Sequence, residues 1–333
     1  MNIMLVKNNR LSINIILDYY CNLNCEFCYQ QSVRDKYDYS SYKFFSNDRL
    51  VEILNQLKLL TDPDIIDIIK SINPRSIHIG FSGGEIFTEH FFNSSLKHTN
   101  LNIVIRELHK LIHQNLNIPI DEFVNFMSNG TFEHRYIDDL LWFLEYSFGI
   151  VEFSYDVHGR FTNSKLEDNM LQNLISCYNH NRANAVTIIL TKPNIESFIV
   201  NQSSLFDLDI IDNLEINISY YMPKSRNDNL IPSFDDLYRF FIWCVDNNHF
   251  SVDTIFNICN ALINKAPAQT YQQPTIILYP DQKDIIFTKS DNCGTLELVR
   301  GFNLYSEIFT YSDLENSLGC LYCGYYNICP NMC

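Results

Sequence analysis

The chain has 333 residues, of which 46% are hydrophobic, and its formal net charge is -15. This length suits one large domain with its own core and a smaller appendage. The acidic balance disfavours a nucleic-acid partner, because phosphate binding draws on clustered lysine and arginine side chains, but it is compatible with a basic or neutral peptide.

The sequence shows no targeting or membrane segment. No unbroken apolar run reaches the length that spans a bilayer, and the N-terminal segment MNIMLVKNNR lacks the basic, apolar and cleavage regions of a secretory signal. Most of the eleven cysteines cluster in metal-type spacings rather than in those of a short secreted disulfide protein. The sequence therefore predicts a cytoplasmic protein without a membrane partner.

Six strand patterns alternate with helical patterns between residues 12 and 220. The predicted strands are Ser12–Tyr19, Arg75–Phe81, Phe123–Ser128, Ile150–Tyr155, Ala185–Thr191 and Leu214–Tyr220. The predicted helices are Asn47–Leu60, Pro63–Ile72, Leu101–Ile112, His134–Tyr146, Leu166–Tyr178 and Glu196–Leu205, with Ser46 and Asp62 as N-caps of the first two. This alternation predicts parallel strands joined by helical crossovers, in a barrel or in a doubly wound sheet.

The predicted strands have one apolar and one polar face. In the fourth strand, Val151, Phe153 and Tyr155 alternate with Glu152 and Ser154. Parallel strands that are buried on both faces usually read as continuous apolar runs. If the apolar faces pack on helices, the polar faces line an interior that holds water or a ligand, or their side chains pair with one another. An incompletely closed barrel with a cavity fits this pattern better than a packed eight-stranded barrel.

Three cysteines follow the first predicted strand. Cys21, Cys25 and Cys28 are spaced by four and three residues, so their thiolates can converge on one inorganic centre only if the segment curls around it. Structural zinc takes four protein ligands, whereas a cubane iron–sulfur cluster held by three cysteines leaves one iron open to an outside ligand. The spacing predicts a metal site, and a zinc knuckle is the alternative.

The spacing Cys-x3-Cys-x2-Cys, with Phe27 directly before the last cysteine, resembles the signature of the radical S-adenosylmethionine (radical SAM) enzymes. The resemblance implies a 4Fe-4S cluster on Cys21, Cys25 and Cys28 whose open iron binds SAM, and cleavage of SAM to a 5′-deoxyadenosyl radical. It places Phe27 near the adenine. It also implies an α/β fold, a partial (β/α)6 barrel of the TIM type.

Two further strand ends are similar to motifs of this family. The second predicted strand ends in Gly83-Gly84-Glu85, which resembles the GGE motif that binds the amino group of SAM. Glycines allow a close backbone approach, and the carboxylate can accept hydrogen bonds from an ammonium group. The third strand runs into Asn129-Gly130, similar to a turn common in the family, although Asn-Gly is frequent in turns generally.

The fourth predicted strand ends in Ser154-Tyr155-Asp156, which resembles the family segment near the SAM ribose. The resemblance makes Ser154 a cofactor-binding residue. Val157 replaces the glycine of the family pattern. Asp156 is a candidate catalytic residue, and Arg160 is a candidate cofactor-binding residue that matches the family's arginine loosely.

The pattern changes after residue 230. Two helices, Phe234–Val245 and Thr254–Ile263, and a hairpin of Thr275–Tyr279 with Asp284–Lys289 are predicted. Five cysteines follow, namely Cys293, Cys320, Cys323, Cys329 and Cys333. We predict a barrel over residues 1–230 and, over residues 231–333, a helical linker, a hairpin and a small cysteine-rich domain.

The terminal spacing Cys-x2-Cys-x5-Cys-x3-Cys resembles the SPASM extension of related radical SAM enzymes. The resemblance implies one or two auxiliary 4Fe-4S clusters, and a zinc ribbon is the alternative. In the arrangement that it implies, one cluster takes Cys320, Cys323 and Cys329, and the other takes Cys293 and Cys333. Each set lacks at least one ligand.

Three cysteines lie apart from these motifs, in helical stretches. Cys259 is a further candidate ligand, although a buried thiol is the alternative for its apolar surroundings. Cys177 and Cys244 are predicted to be inert.

The resemblance implies a maturase of a ribosomally synthesised peptide. The radical would abstract hydrogen from a side chain or α-carbon, and the oxidised product would be a cross-link, either a thioether or a C–C bond. An external electron donor of flavodoxin or ferredoxin type is implied. No extra N-terminal domain precedes the first predicted strand, so leader-peptide recognition is expected from the barrel, from the appendage or from a separate protein.

Other functions fit parts of the pattern. An anaerobic sulfatase maturase forms formylglycine, but those enzymes carry an acid after the auxiliary-cluster cysteine, where this chain has Gly294. Dehydrogenation of a small carbinol or sugar is another enzymatic alternative. A catalytically inactive homologue that binds a peptide, and a zinc-binding structural protein, are the alternatives that are not enzymes.

Overall fold

The computed structural model describes residues 10–28, 46–158, 160–161, 163–200, 204–220, 228–249, 251–252, 275–279, 286–290 and 296–298. The predicted helix Thr254–Ile263 and the candidate ligand Cys259 lie outside these residues. So do the five terminal cysteines, Cys293, Cys320, Cys323, Cys329 and Cys333. Their roles as ligands of auxiliary clusters stay predictions.

A nine-stranded sheet organises the described part of the chain. Its strands are β1 (Arg10–Ile16), β2 (Ser76–Ser82), β3 (Ile120–Ser128), β4 (Gly149–Ser154), β5 (Ala183–Leu190), β6 (Glu215–Tyr220), β7 (Thr275–Leu278), β8 (Ile286–Ser290) and β9 (Leu296–Leu298). Their order is β6-β5-β4-β3-β2-β1-β7-β8-β9. Strands β1 to β6 pair in parallel in chain order. This half-barrel confirms the predicted partial (β/α)6 fold.

Helices connect the strands and cover one face of the sheet. They are α1 (Asn47–Leu57), α2 (Pro63–Ile72), α3 (Glu89–Phe92), α4 (Ser95–Asn115), α5 (Ile137–Ser147), α6 (Ser164–Asn179), α7 (Lys192–Ile199) and α8 (Phe234–Asp246). The two predicted N-caps are confirmed, because Ser46 Oγ accepts from Arg49 N and an Asp62 carboxylate oxygen accepts from Asp64 N. None of the described helices has the length and apolar character needed to cross a bilayer.

The prediction for α7 was wrong in position. The sequence pattern placed this helix at Glu196–Leu205, whereas it begins at Lys192 and ends at Ile199. Thr191 Oγ1 accepts from Asn194 N, and Pro193 stands in the first turn, where its missing N–H costs nothing. These start signals lie in the sequence and define the helix better than the apolar spacing does.

The core lies between the sheet and its helices. The alternate residues Val151 and Phe153 of β4 are fully buried on the helix side, and Phe81 of β2 stacks on Phe126 of β3 with ring centroids 5.4 Å apart. The opposite, polar face of each strand is turned away from these helices. We call it the inner face of the half-barrel.

The C-terminal hairpin joins the same sheet. Strands β7 and β8 pair antiparallel, which confirms the predicted hairpin. Sequence analysis did not predict that β7 also pairs in parallel with β1, where Ser12 lies opposite Thr275 and Ile15 opposite Leu278. The Gln56 side chain of α1 donates to Tyr279 O at 2.7 Å. The hydrogen-bonded sheet therefore continues across the predicted boundary at residue 230, which itself stays a prediction.

Arg49 links α1 to the end of β1 by hydrogen bonds. Its side chain is 2% exposed, and its guanidinium donates to Leu17 O at 2.8 Å and to Ile16 O at 2.9 Å. Replacement of Arg49 by methionine is expected to lower the free energy of unfolding by about 2–4 kcal/mol, because two buried carbonyls lose charged donors. Urea unfolding followed by far-UV circular dichroism measures this change.

The matched control is Arg106→Met on the exposed face of α4. A surface substitution of this kind should change stability by less than about 0.5 kcal/mol. Equal stability changes in the two variants would contradict the role given to Arg49.

Candidate active site

The three cysteines follow β1 in one curled loop. Cys28 N donates to Cys25 O at 3.0 Å, which closes a turn. Cys25 and Phe27 are buried in a small apolar cluster, and Cys21 and Cys28 pack against the same cluster. The loop therefore gathers the three thiols at the carboxyl edge of the sheet, as its spacing predicted.

The loop is supported by the glycines that follow β2. Gly84 N donates to Asp18 O at 2.9 Å, and Glu85 N donates to Tyr20 O at 2.7 Å. A Cβ on Gly84 would lie only 1.9 Å from Tyr20 O, and a Cβ on Gly83 would lie 2.5 Å from Asp18 O. The two glycines are thus required by the close approach of the backbone that leads into the cysteine loop, which the sequence did not reveal.

Glu85 joins the ends of β2 and β3. One carboxylate oxygen accepts from Phe87 N and Ser128 Oγ, each at 2.8 Å, and the other accepts from Asn129 N at 2.6 Å. Burial raises the pKa of Glu85, although these three donors and the charge of Arg160 oppose the change. The carboxylate is held in one orientation at the edge where the cysteine loop lies.

Asn22, inside the cysteine loop, is bound by the turn after β3. Its Nδ2 donates to Thr131 Oγ1 at 3.0 Å, and its Oδ1 accepts from Asn129 Nδ2 at 3.0 Å. The same Asn129 nitrogen lies 3.9 Å from Cys21 Sγ. Asn129 was predicted as a cofactor-binding residue, whereas Asn22 and Thr131 were missed. The only sequence signal for Asn22 was an amide placed between two cysteines.

Asp156 and Arg160 form a buried ion pair beside the loop. Arg160 Nε and Nη2 lie 2.8 and 2.7 Å from Asp156 Oδ2. Asp156 Oδ1 accepts from Ile189 N and from Asn194 Nδ2. The guanidinium carbon lies 5.3 Å from the centroid of the Phe27 ring, a cation–π distance. Asp156 therefore positions Arg160 over a residue of the cysteine loop, and its predicted catalytic role stays a prediction.

The site places one permanent cation next to the thiols. Burial lowers the pKa of Arg160, but the adjacent Asp156 and the nearby Cys25 and Cys21 outweigh it and raise the pKa overall. Burial raises the pKa of Asp156 to about 6 against the opposing charge of Arg160. Both partners are charged at neutral pH, and the guanidinium can stabilise an anionic group bound by the loop.

The predicted cofactor-binding residues that the structure describes lie along one edge of the sheet. They follow β1, β2, β3 and β4 and comprise Phe27, Gly83, Gly84, Glu85, Asn129, Ser154 and Arg160. Ser154 is the last residue of β4 and is half-buried on the inner face. The fold thus brings together residues from four separate segments, and their roles toward SAM stay predictions.

The chemistry of the loop fits an iron–sulfur cluster. Among the residues that the structure describes, no three His, Cys, Asp or Glu side chains are arranged to hold a single metal ion. Three thiols bordering one apolar cluster, with Arg160 beside them, provide soft ligands and a compensating charge for an anionic cluster. The residues present are of the chemical type that such a cluster needs, and their role as its ligands stays a prediction.

Cys177 and Cys244 lie in helices, away from the cysteine loop. Both side chains are fully buried, and burial raises the pKa of each thiol to about 12. At pH 8 both remain neutral, so the folded apoprotein should alkylate at these positions more than about 100-fold slower than after unfolding. Mass spectrometry after iodoacetamide treatment measures this difference. Equally fast labelling before and after unfolding would contradict the predicted inertness.

No protein-family model matches the chain, and no curated protein matches it in sequence. Solved structures do align with it. The structure of hexahistidine-tagged anSMEcpe, an anaerobic sulfatase-maturating enzyme, with bound AdoMet is 12% identical and covers 96% of this chain and 85% of that chain, with a TM-score of 0.56. Native anSMEcpe with bound AdoMet and the Kp18Cys peptide is 14% identical over 96% of this chain and 88% of that chain, with a TM-score of 0.55.

Streptococcus suis SuiB aligns over 97% of this chain and 73% of that chain at 15% identity, and its TM-score is 0.46. The two alignments with anSMEcpe establish a common fold. They confirm the partial TIM-type barrel, and they extend to nearly all of the chain.

Proposed function

We propose that this protein is a radical SAM enzyme that modifies a peptide or protein. The observation that carries the proposal is the cysteine loop. Cys21, Cys25 and Cys28 stand at the carboxyl edge of β1, against Gly83-Gly84-Glu85, in a chain that shares its fold with an AdoMet-bound protein. The spacing alone predicts a cluster, and the fold supports the neighbouring residues as its cofactor site.

The chain's own residues would hold and shield the reacting groups. Cys21, Cys25 and Cys28 would hold a 4Fe-4S cluster, and when bound it supplies the electron that cleaves SAM to a hydrogen-abstracting 5′-deoxyadenosyl radical. Leu23 and Leu230 pack around the loop and would exclude water from it.

Four other features would hold SAM. The Gly83-Gly84-Glu85 segment would bind the amino group of SAM. Phe27 would contact its adenine, and Ser154 would bind its ribose. Arg160 would supply positive charge beside the thiolates.

A peptide substrate is favoured by the fold, because one of the aligned structures of anSMEcpe contains the Kp18Cys peptide. We propose a ribosomally synthesised peptide as the substrate. The proposed product is the same peptide with an oxidative cross-link, either a thioether or a C–C bond.

Auxiliary 4Fe-4S clusters on the terminal cysteines would take up the second electron that the oxidation releases. An electron donor of flavodoxin or ferredoxin type and a separate leader-peptide-binding protein are the proposed partners, in the cytoplasm.

Co-expression with a candidate precursor peptide tests the product. Short open reading frames beside the gene provide the candidates. A cross-linked peptide loses two hydrogens per bond and resists fragmentation inside the ring, which tandem mass spectrometry detects. The same peptide co-expressed with a Cys25→Ala variant should keep its mass. An unchanged mass with the intact enzyme, for every neighbouring peptide, would count against peptide cross-linking.

Formylglycine formation is the second candidate, since two of the aligned structures are of anSMEcpe, a sulfatase-maturating enzyme. This reaction converts a cysteine or serine side chain to an aldehyde. Incubation of the reconstituted enzyme with a cysteine-containing sulfatase-type peptide, followed by hydrazide trapping, would reveal the aldehyde. A trapped product would favour this candidate over cross-linking.

A further inference from the structure

The inner face carries a carboxylate held by three neutral donors. Glu152 of β4 accepts from Asn125 Nδ2 of β3 at 3.0 Å and from Asn217 Nδ2 of β6 at 3.1 Å. It also accepts from the Thr187 hydroxyl of β5. Four adjacent strands thus contribute to one site, which we call the inner carboxylate site. These side chains pair with one another, as one of the sequence interpretations required.

Glu152 differs from a neighbouring acid, Asp121, in the charges that lie around it. Asp121 lies 3.0 Å from Arg10 Nε and 3.3 Å from His78 Nδ1. Within the described ranges, no lysine, arginine or histidine forms an ion pair with Glu152. Its charge does act on His78, but burial lowers the pKa of that imidazole overall, so His78 is mostly neutral at pH 7.

The hydrogen bonds of Glu152 do not exhaust its capacity. An ionised carboxylate accepts about four hydrogen bonds, and Glu152 receives those of Asn125, Asn217 and Thr187. A negative charge with remaining acceptor capacity therefore lies on the inner face.

A second acceptor lies beside it. Asn125 Oδ1 is buried, and no residue in the described part of the chain donates a hydrogen bond to it. The orientation of this amide is fixed by Glu152, because exchange of its nitrogen and oxygen would bring two acceptors together. A buried carbonyl without a donor is destabilising, and a bound N–H donor would remove that cost. The site thus presents one charged and one neutral acceptor, which together are complementary to a cation with several N–H donors.

The inner carboxylate site is partly open to solvent. The side chains of Glu152 and Asn125 are half-buried rather than fully buried. Met127 follows on the inner face of β3, toward the cysteine loop, and is 38% exposed. Solvent therefore reaches the inner face next to Glu152, which Met127 opposes across the pairing of β3 and β4.

We propose that Glu152 and Asn125 bind the cationic side chain of a lysine or arginine in the substrate. That the ligand belongs to a peptide rests on the proposed function. The recognition of its positive charge rests on the inner carboxylate site alone. Glu152 lies two residues before Ser154 on β4, a distance of about 7 Å along an extended strand. A long basic side chain can span this distance while the peptide backbone lies at the carboxyl edge of the sheet, beside the cysteine loop.

Two small probes of matched shape test the proposal. Nα-acetyl-arginine amide carries a guanidinium, and Nα-acetyl-citrulline amide carries a neutral urea of nearly the same shape. Their binding to the anaerobically reconstituted full chain is measured by calorimetry or ligand-observed NMR. The wild type should bind the arginine probe at least about tenfold tighter, as expected for a charge-assisted pair. Glu152→Gln should remove this preference.

The control is Glu145→Gln, which removes an exposed carboxylate from α5 and should keep the preference. Glu152→Gln can retain the local bonds, since the Asn125 amide can turn over so that its Oδ1 accepts from the new amide, while the glutamine carbonyl accepts from Thr187 and Asn217. If that variant does not fold, Asn125→Val removes the neutral acceptor and should weaken arginine binding.

Two results would overturn the proposal: equal binding of the two probes by the wild type, or an undiminished preference in the folded Glu152→Gln or Asn125→Val protein. Release of 5′-deoxyadenosine by the wild type is measured on the same preparations. Its absence would refute the proposed enzyme activity and leave the binding result standing.

Discussion

Replacement of Cys25 by alanine is expected to reduce release of 5′-deoxyadenosine by more than about 100-fold under dithionite, because two thiolates cannot retain a three-ligand cluster. Cys25 is 6% exposed and packs in an apolar cluster with Leu23, Phe27 and Leu230, whose side chains cannot serve as substitute ligands. The reconstituted variant should also lose the visible absorbance that iron–sulfur clusters give. Iron and sulfide analysis provides an independent measure.

Cys177→Ala is the matched control, since it removes a buried thiol outside the loop. That variant should lose some stability through the cavity it creates but should keep its cluster and its SAM cleavage. Retention of iron and activity in Cys25→Ala would refute the cluster assignment. An iron-free wild type that binds zinc at the loop would favour the zinc-knuckle alternative instead.

Replacement of Gly84 by alanine is expected to have the next largest effect on the cluster content of the protein. The new Cβ would lie 1.9 Å from Tyr20 O and 2.3 Å from Tyr20 C, and backbone atoms at that position cannot rotate away. The chain entering the cysteine loop must therefore shift, and the hydrogen bond from Glu85 N to Tyr20 O must break. We expect cluster content to fall at least about tenfold and the free energy of unfolding to fall by about 2–4 kcal/mol.

Gly149→Ala is the control for this variant. A Cβ there would also be crowded, at 2.6 Å from a Phe126 ring carbon, but its close neighbours are side chains in the core. That variant should lose about 1–3 kcal/mol of stability through overpacking while keeping its cluster. If Gly84→Ala loaded iron as well as Gly149→Ala, the support of the loop by this glycine would be disproved.

Local signals in the sequence predicted most of the elements. Asp62 and Pro63 fixed the start of α2, and the predicted range Pro63–Ile72 is the observed one. The first strand was predicted to run to Tyr19, but β1 ends at Ile16. Beyond it, the Asp18 side chain accepts from Tyr19 N and Tyr20 N and turns the backbone. Side-chain acceptors of this kind compete with strand pairing and leave no trace in the apolar pattern.

The contacts that position the site join distant segments and could not be predicted. Arg49 donates to the carbonyls at the end of β1, Asn22 donates to Thr131, and Glu85 accepts from Asn129. Each pair depends on which strands become neighbours, which periodicity alone does not determine. The sequence did predict which residue types would meet at the carboxyl edge, because parallel strands in a half-barrel end on the same side.

The pairing of β7 with β1 has a consequence for how the molecule forms. Ser12 and Thr275 are neighbours in the sheet although nearly the whole described chain separates them. Closing so long a loop is entropically costly and slow. During synthesis, the strand that carries the cysteine loop has one of its edges unpaired until the C-terminal strands have been made. We therefore expect the proposed cluster to be inserted only after the C-terminal strand β7 has paired with β1.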